Sequence, residues 1–266
     1  VDYDQDGKLD FVSGSYDPGE VVLFRSLGKG RFAASETLFD EAGLPLVHHP
    51  VEWARAESER RSNPAAGTGA SDAATASYGS FPMPCDFDGD GRLDMLIGSL
   101  EGEVLLRRGV ARGKPTKKGS RGPFAAASVA LEAGGARLKV HSHADPFVAD
   151  WDGDGTWDLV VGAGDGSVGW FRNEGSAAAP KFAGMRELVA ARSTTNSVER
   201  RLGADGKPLP GTRAQICVAD HDGDGRLDLL VGDYAKPGAG SKGHSGHVWL
   251  YRRARQGAPV TPGSGR

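Results

Sequence analysis

Cysteine is scarce in this 266-residue chain: Cys85 and Cys217 are the only two. They allow at most one bridge, and their spacing does not say whether it forms. Both read as small buried thiols on strands that precede acidic loops. An apolar run long enough to cross a membrane is missing, and so is a leader segment before Val1. The chain starts directly on an acidic loop, which reads as a truncated N-terminus rather than as a cytosolic origin. Helix-period patterning is sparse. There is no nucleophile elbow, phosphate-binding loop, HExxH pair or dinucleotide fingerprint. No RNA- or DNA-binding motif appears, so nucleic acid is not an expected partner.

Glycine is abundant, with 40 residues, and the acidic residues are unevenly placed. Of the 35 Asp and Glu, sixteen fall in four copies of one nine-residue pattern. The copies are DYDQDGKLD from Asp2, DFDGDGRLD from Asp86, DWDGDGTWD from Asp150 and DHDGDGRLD from Asp220. Each places Asp at positions 1, 3, 5 and 9 and Gly at position 6. Alternate residues of a tight loop can aim several carboxylates at one point, and crowded carboxylates repel unless a cation neutralises them. Ca²⁺ is the hard cation that takes roughly six to eight oxygens in this way. Up to four Ca²⁺ are expected. The candidate ligands are Asp2, Asp4, Asp6 and Asp10; Asp86, Asp88, Asp90 and Asp94; Asp150, Asp152, Asp154 and Asp158; and Asp220, Asp222, Asp224 and Asp228. The backbone carbonyls of Lys8, Arg92, Thr156 and Arg226 at position 7 complete the set. Position 8 (Leu9, Leu93, Trp157, Leu227) is always apolar and is expected to anchor each loop in the core. The pattern opens like an EF-hand loop but has Ser13, Ile97, Val161 or Val231 where the bidentate Glu belongs.

The segment after each loop is β-prone. DFVSG, DMLIG, DLVVG and DLLVG are short apolar runs ended by glycine, and EVVLFR, EVLLRR, SVGWFR and HVWLYR form a second set. In that second set Arg25, Arg108, Arg172 and Arg252 align. A third element opens at Phe32, Phe124 and Phe182. FVAD, CVAD and MPCD run into the loops at Asp150, Asp220 and Asp86. The unit is therefore strand, calcium loop, strand, hairpin, strand, connection, strand. Loop starts are 84, 64 and 70 residues apart. Four-stranded units at such a period point to a propeller or another repeat array. Residues apolar on both faces, such as Trp170 beside Phe171, suit sheets stacked on sheets.

The expected fold is all-β: a β-propeller of four units of about four strands, with the calcium loop between the first and second strand of each blade. Residues 1–253 read as one repeat domain with units starting near 2, 86, 150 and 220. Insertions are expected at about 55–80, 110–122 and 234–246, and 254–266 reads as a disordered tail. The first unit lacks an inner strand and the fourth an outer one, so the units are expected to form an incomplete propeller or open arc.

These motifs, DxDxDGxxDLLVG followed by G-x-V-x-[LW]-[FY]-R, resemble the FG-GAP/VCBS-type repeats of integrin α-like propellers and bacterial surface proteins. The resemblance covers most of the chain outside the insertions. It implies a calcium-bearing propeller that serves adhesion, ligand binding or scaffolding, usually outside the cell. The expected location is extracellular, cell-surface or periplasmic. The expected partners are a protein or glycan ligand on a propeller face and the remaining blades of a longer parent chain, with no membrane span.

Three features lie outside the repeat. Residues 51–61 suit a short helix with a Glu57/Arg61 pair. Residues 110–122 carry five basic side chains, suited to an acidic polymer or merely solvated. His48 and His49 follow GLPL, and His141, His143 and Asp145 follow GARL, so acid–base or metal chemistry on one face is conceivable. The main reading is a non-catalytic calcium-stabilised propeller segment for adhesion or carbohydrate/protein binding. The alternative is a carbohydrate-active enzyme of polysaccharide-lyase type, which needs those histidines to converge.

Overall fold

A computed structural model describes residues 1–16, 18–62, 79–111, 122–192, 202–236 and 243–253. The basic residues 112–121, residues 63–78 and 237–242 and the tail 254–266 lie outside the described residues. The chain divides into two compact units, Val1–Leu131 and Glu132–Arg266, each holding two of the four repeats.

In the first unit the strands are β1 (Phe11–Gly14), β2 (Val21–Phe24), β3 (Ser26–Gly28), β4 (Arg31–Phe32) and β5 (Glu36–Thr37), followed by helix α1 (Pro50–Ser62). Then come β6 (Ser80–Cys85), β7 (Asp94–Ser99), β8 (Val104–Gly109) and β9 (Phe124–Ala130). They form an antiparallel sheet β1-β2-β5, a four-stranded sheet β6-β7-β8-β9 and the hairpin β3-β4. In the second unit β10 (Glu132–Ala133) and β11 (Ala136–Arg137) make a hairpin. The sheet β12-β13-β14-β15 comprises Asp145–Ala149, Asp158–Gly162, Val168–Phe171 and Arg186–Val189. The sheet β16-β17-β18 comprises Thr212–Ala219, Asp228–Tyr234 and Val248–Tyr251. Among the described residues no sheet closes on itself.

The acidic loop occupies the same place in each full repeat. It joins the first strand to the second, and the ninth Asp opens the second strand opposite the residue before the loop. The pairs are Cys85↔Asp94, Ala149↔Asp158 and Ala219↔Asp228. In the two middle repeats the second strands and the third strand of the third repeat are buried on both faces, as the double-sided apolar pattern requires: every residue of β7, β13 and β14 is buried, whereas β1 and β18 are partly exposed, with Val248 70% exposed. The core of each unit lies between its two sheets. In the first unit Val21, Leu23 and Leu46 meet Met95, Ile97 and Phe124. In the second, Val160, Val168 and Trp170 meet Ala214, Val218 and Val231.

The glycine that ends the second strand has a specific task. A Cβ on Gly14 would fall 1.8 Å from the Ser80 carbonyl oxygen, and one on Gly162 would fall 2.2 Å from that of Ala214. At both places the first strand of the next repeat crosses too close for any side chain. Gly232 has no such neighbour, and its nearest contact would be 3.6 Å away. Asp145 reinforces the second crossing by accepting the Ile216 N–H at 2.6 Å. Burial pushes this carboxyl up to about 6.

Several expectations need correction. Phe32 does not open an outer strand. It lies exposed in β4, and the short strand that pairs with β2 is Glu36–Thr37. Phe182 is buried, but its strand begins four residues later at Arg186, because Phe182 bridges to Asn173 and Ala133 instead. Only Phe124 opens a strand as expected. The apolar eighth loop residues anchor only two loops: Leu93 and Leu227 are partly buried and pack against the cores, whereas Leu9 and Trp157 are exposed. The second residue is buried in three loops, at Tyr3, Phe87 and Trp151, while His221 in the fourth is exposed. Helix α1 runs to Ser62, and buried Ser80 opens β6. The helix does carry the expected ion pair, Arg61 Nε to Glu57 Oε1 at 2.9 Å. Both cysteines are free, and Cys217 is exposed rather than buried.

Gly162→Ala should lower unfolding stability by about 2–4 kcal/mol, because backbone rather than a flexible side chain must move. Gly232→Ala should cost no more than about 1 kcal/mol. Urea denaturation of the two variants compares them, and equal losses would show that the crossing at Gly162 is loose.

Asp145 yields a pH signature. Its carboxyl binds a proton more tightly in the folded chain than at the ordinary value of 3.8. Its contribution to stability is therefore fullest below about pH 4 and is lost as pH rises through about 6, on the order of 2–3 kcal/mol at most. Asp145→Asn keeps an acceptor for Ile216 N–H and removes the charge. The variant should be more stable than the parent at pH 7 and indistinguishable from it near pH 4. A parent-like pH profile between 4 and 7 would refute the assignment.

Candidate metal centres

The four acidic loops repeat one hydrogen-bond plan. The first Asp accepts the N–H of the glycine at position 6: Gly7 to Asp2 at 2.9 Å, Gly91 to Asp86 at 3.0 Å, Gly155 to Asp150 at 3.0 Å and Gly225 to Asp220 at 2.9 Å. The fifth accepts the N–H of position 7: Lys8, Arg92, Thr156 and Arg226, at 2.8–3.0 Å. The turn these bonds close needs left-handed backbone at position 6, where φ runs from 81° to 89° at Gly7, Gly91, Gly155 and Gly225. Position 4 is left-handed too, at Gly89, Gly153, Gly223 and, without glycine's freedom, Gln5.

The ninth Asp behaves differently from the others. It is buried in every copy: Asp10, Asp94, Asp158 and Asp228 are at most 8% exposed. One oxygen accepts the N–H of the second loop residue, at 2.9–3.2 Å from Tyr3, Phe87, Trp151 and His221. The other accepts an N–H at the end of the next hairpin strand, from Ser26, Gly109, Asn173 and Arg253 at 2.5–2.8 Å. Burial pushes Asp94 and Asp158 upward, against the pull of those bonds. The pattern of the sequence marks this Asp as a ligand. The structure adds that it ties the loop to the sheet.

The third Asp meets the aligned arginine of the hairpin strand. Arg25 Nη1 lies 2.5 Å from Asp4 Oδ2, and Arg172 Nε lies 2.5 Å from Asp152 Oδ2. Arg108 pairs with Asp88 in the same way, and Arg252 lies 3.8 Å from Asp222. At the fifth Asp, position 7 supplies the partner: Lys8 to Asp6, Arg92 to Asp90, Arg226 to Asp224 and the Thr156 hydroxyl to Asp154. The hydrogen bonds from Lys8 and Thr156 hold Asp6 and Asp154 below the ordinary carboxylate range.

After these partners are counted, buried oxygens remain. Asp4 Oδ1, Asp86 Oδ1 and Asp152 Oδ1 have no hydrogen-bond partner. In Asp4 and Asp152 the arginine takes Oδ2, and Oδ1 is the oxygen left over. Ligand atoms of Asp2, Asp4 and Asp6, of Asp86, Asp88 and Asp90, and of Asp150, Asp152 and Asp154 lie within 4.8 Å of one another. In the fourth loop the converging set is Asp220, Asp222 and Asp228. An all-carboxylate set of this kind suits a hard cation and offers nothing to a soft one.

The histidines have separate partners. His48 and His49 converge with Glu101 in the first unit. His141 and His143 both approach the Ser142 hydroxyl in the second, at 3.1 and 3.2 Å. Among the described residues, no ligand cluster includes His141 or His143.

Residues 150–231, from the start of the third loop into β17, match the family model described as an FG-GAP-like repeat. This stretch is an FG-GAP-like repeat. No curated protein and no solved structure matches the chain. The FG-GAP-like stretch contains both loops of the second unit. The loops at Asp2 and Asp86 share their hydrogen-bond plan. The arginine and ninth-Asp contacts are also common to all four repeats, and sequence alignment alone points to the arginines without naming their partner.

With divalent ions chelated, Asp158→Ala should lose about 2–4 kcal/mol, because two buried N–H groups lose their acceptor. Asp152→Ala should lose under about 1 kcal/mol there, since its partner Arg172 is half exposed. Chemical denaturation in chelator buffer distinguishes them. Equal losses would mean that the ninth Asp is not a metal-independent tie.

Proposed function

We propose that this chain is a calcium-binding, propeller-like repeat segment of a larger secreted or cell-surface protein, serving adhesion or the binding of a protein or glycan. The observation that carries the calcium reading is the set of buried, unpartnered oxygens at Asp4, Asp86 and Asp152. A buried carboxylate oxygen without a donor is costly, and a cation bound by the neighbouring carboxylates removes that cost. Asp2, Asp4 and Asp6 and their counterparts would hold the ion, which supplies charge neutralisation and cross-linking of the loop. Mg²⁺ suits the loops less well, because it dehydrates reluctantly and keeps several waters.

The FG-GAP-like repeat supports a role as a repeat domain within a larger protein. Exposed loops that share an oxygen with an arginine bind calcium modestly, which suits an extracellular medium rich in the ion. No helix among the described residues is long and apolar enough to cross a membrane. Sixteen acids sit in the loops, so four bound Ca²⁺ would turn the formal charge of −3 to about +5. A mildly basic surface of that kind suits an anionic glycan or acidic protein face.

Calcium titration by calorimetry should show up to four equivalents. At about ten times Kd each site contributes ~1.4 kcal/mol, so four together add roughly 5–6 kcal/mol. Chelation should lower Tm by roughly 10–20 °C for a chain of this size. A melting curve unmoved by excess EGTA, or no calcium heat at millimolar concentration, would overturn the calcium reading. A glycan array probed with calcium-loaded protein tests the partner class separately.

A further inference from the structure

The first unit holds a cluster unlike the four loops. His48, His49 and Glu101 each bring one ligand atom within 4.8 Å of the others. His48 Nδ1 and His49 Nε2 are 3.0 Å apart, and His49 Nε2 and Glu101 Oε2 are 3.4 Å apart. The two imidazoles meet edge to face, with centroids 4.3 Å apart.

The surrounding fold fixes these side chains. Leu46 is fully buried and is bonded through its backbone to Leu38 and to Val21, which sets the chain just before the histidines. His49 then caps helix α1: its carbonyl accepts the Trp53 N–H at 2.9 Å, and Pro50 occupies the first helical turn. Glu101 sits in the turn between β7 and β8, where the Ser99 N–H bonds the Glu103 carbonyl at 3.0 Å and the Gly102 N–H bonds that of Ser99 at 3.2 Å. A rigid connection and a rigid hairpin tip thus present nitrogen and oxygen ligands to one point.

Hydrogen bonding among the three does not account for this arrangement. His49 Nε2 faces both a ring nitrogen and a carboxylate oxygen, and a neutral imidazole nitrogen carries either one hydrogen or one lone pair. With the hydrogen it serves one neighbour. With the lone pair it accepts from His48 and repels the carboxylate. A cation serves all three at once. Two ligand atoms held about 2.0–2.2 Å from a tetrahedral ion lie about 3.3–3.6 Å apart; the His49–Glu101 separation of 3.4 Å falls in that range and the His48–His49 separation of 3.0 Å is slightly shorter.

We propose that His48, His49 and Glu101 form a zinc site, distinct in chemistry from the acidic loops. Two imidazoles and one carboxylate suit Zn²⁺ and poorly suit Ca²⁺, which prefers an all-oxygen shell. His48 is 3% exposed, whereas the His49 and Glu101 side chains are 30% and 35% exposed. One flank of the site is therefore dry and the other opens to solvent. Three protein ligands leave a fourth position on that open flank for water or an anionic ligand. Zinc here clasps the connection that leads into helix α1 to the β7–β8 hairpin of the next repeat.

The test is calorimetric titration of Zn²⁺ into the full chain held in millimolar calcium, so that the carboxylate loops are competed. One equivalent should bind. His49→Ala and Glu101→Gln, both at partly exposed positions, should weaken it at least tenfold, while His141→Ala should leave it unchanged. Co²⁺ in place of zinc should give the visible absorption of a low-coordinate site, lost in Glu101→Gln. Failure to bind zinc, undiminished affinity in both variants, or displacement of zinc by calcium would overturn the proposal. The Co²⁺ absorption and its loss in Glu101→Gln read the nitrogen-bearing site whether or not the loops bind calcium.

Discussion

One buried carboxylate per repeat holds the rest of the local structure in place. Asp10, Asp94, Asp158 and Asp228 each bond the N–H of the second loop residue and an N–H at the end of the following hairpin strand. Charge-assisted bonds of this kind contribute about 1.5–3 kcal/mol each when buried. The loop can then neither slide along the first strand nor lift from the third. In three loops the second residue lies inward, with Tyr3, Phe87 and Trp151 buried, while His221 makes the same bond and stays exposed. With the backbone pinned, the first, third and fifth carboxylates face one another in three loops, and in the fourth the first and third face the ninth.

That crowding is only partly relieved by the protein itself. The aligned arginine reaches the third Asp from the hairpin strand, and its planar, permanently charged guanidinium holds one oxygen while leaving the other turned inward. A lysine or arginine at position 7 does similar work at the fifth Asp in three loops. These pairs are exposed enough to be individually weak. In three loops two tethered monovalent charges face three or four carboxylates, and in the third loop Arg172 stands without a charged residue at position 7. On the calcium reading a divalent ion would fill the remaining deficit, and the same arginine would limit affinity by competing for the third Asp. On the calcium reading, the loops are therefore built to keep their shape at low calcium and to gain stability when the ion arrives.

Much of this was legible in the sequence because it is local. The nine-residue spacing, the left-handed glycine at position 6, the two β runs after each loop and the Glu57/Arg61 pair all depend on neighbours in the chain. What escaped depends on contacts far apart in sequence. Phe32 and Phe182 share a Phe-Ala signature with Phe124, yet only Phe124 pairs fully with its sheet, because Phe182 is claimed by Asn173 and Ala133. Buried Arg107 lies 3.8 Å from buried Asp40, a pairing across 67 positions that no periodicity reveals. Glu101 reads as an ordinary turn residue until the fold sets it beside His49, 52 residues earlier.

The strand-ending glycines extend the same point from side chains to backbone. In DFVSG and DLVVG the glycine looks like punctuation for a strand, and its own repeat gives no reason to forbid alanine there. The reason lies in the next repeat, whose first strand passes with Ser80 O or Ala214 O inside the volume a Cβ would fill. Backbone bonds accompany the contact, with Ala214 N–H on Ala163 O and Ser80 N–H on Ser15 O. A repeat is thus specified partly by residues that serve its neighbour, so that within each unit neither sheet has its full set of contacts alone. Gly232 shows the converse. It keeps the motif's residue in the fourth repeat, where no following strand among the described residues comes within that distance, so there the glycine is kept by the motif without the contact that demands it elsewhere.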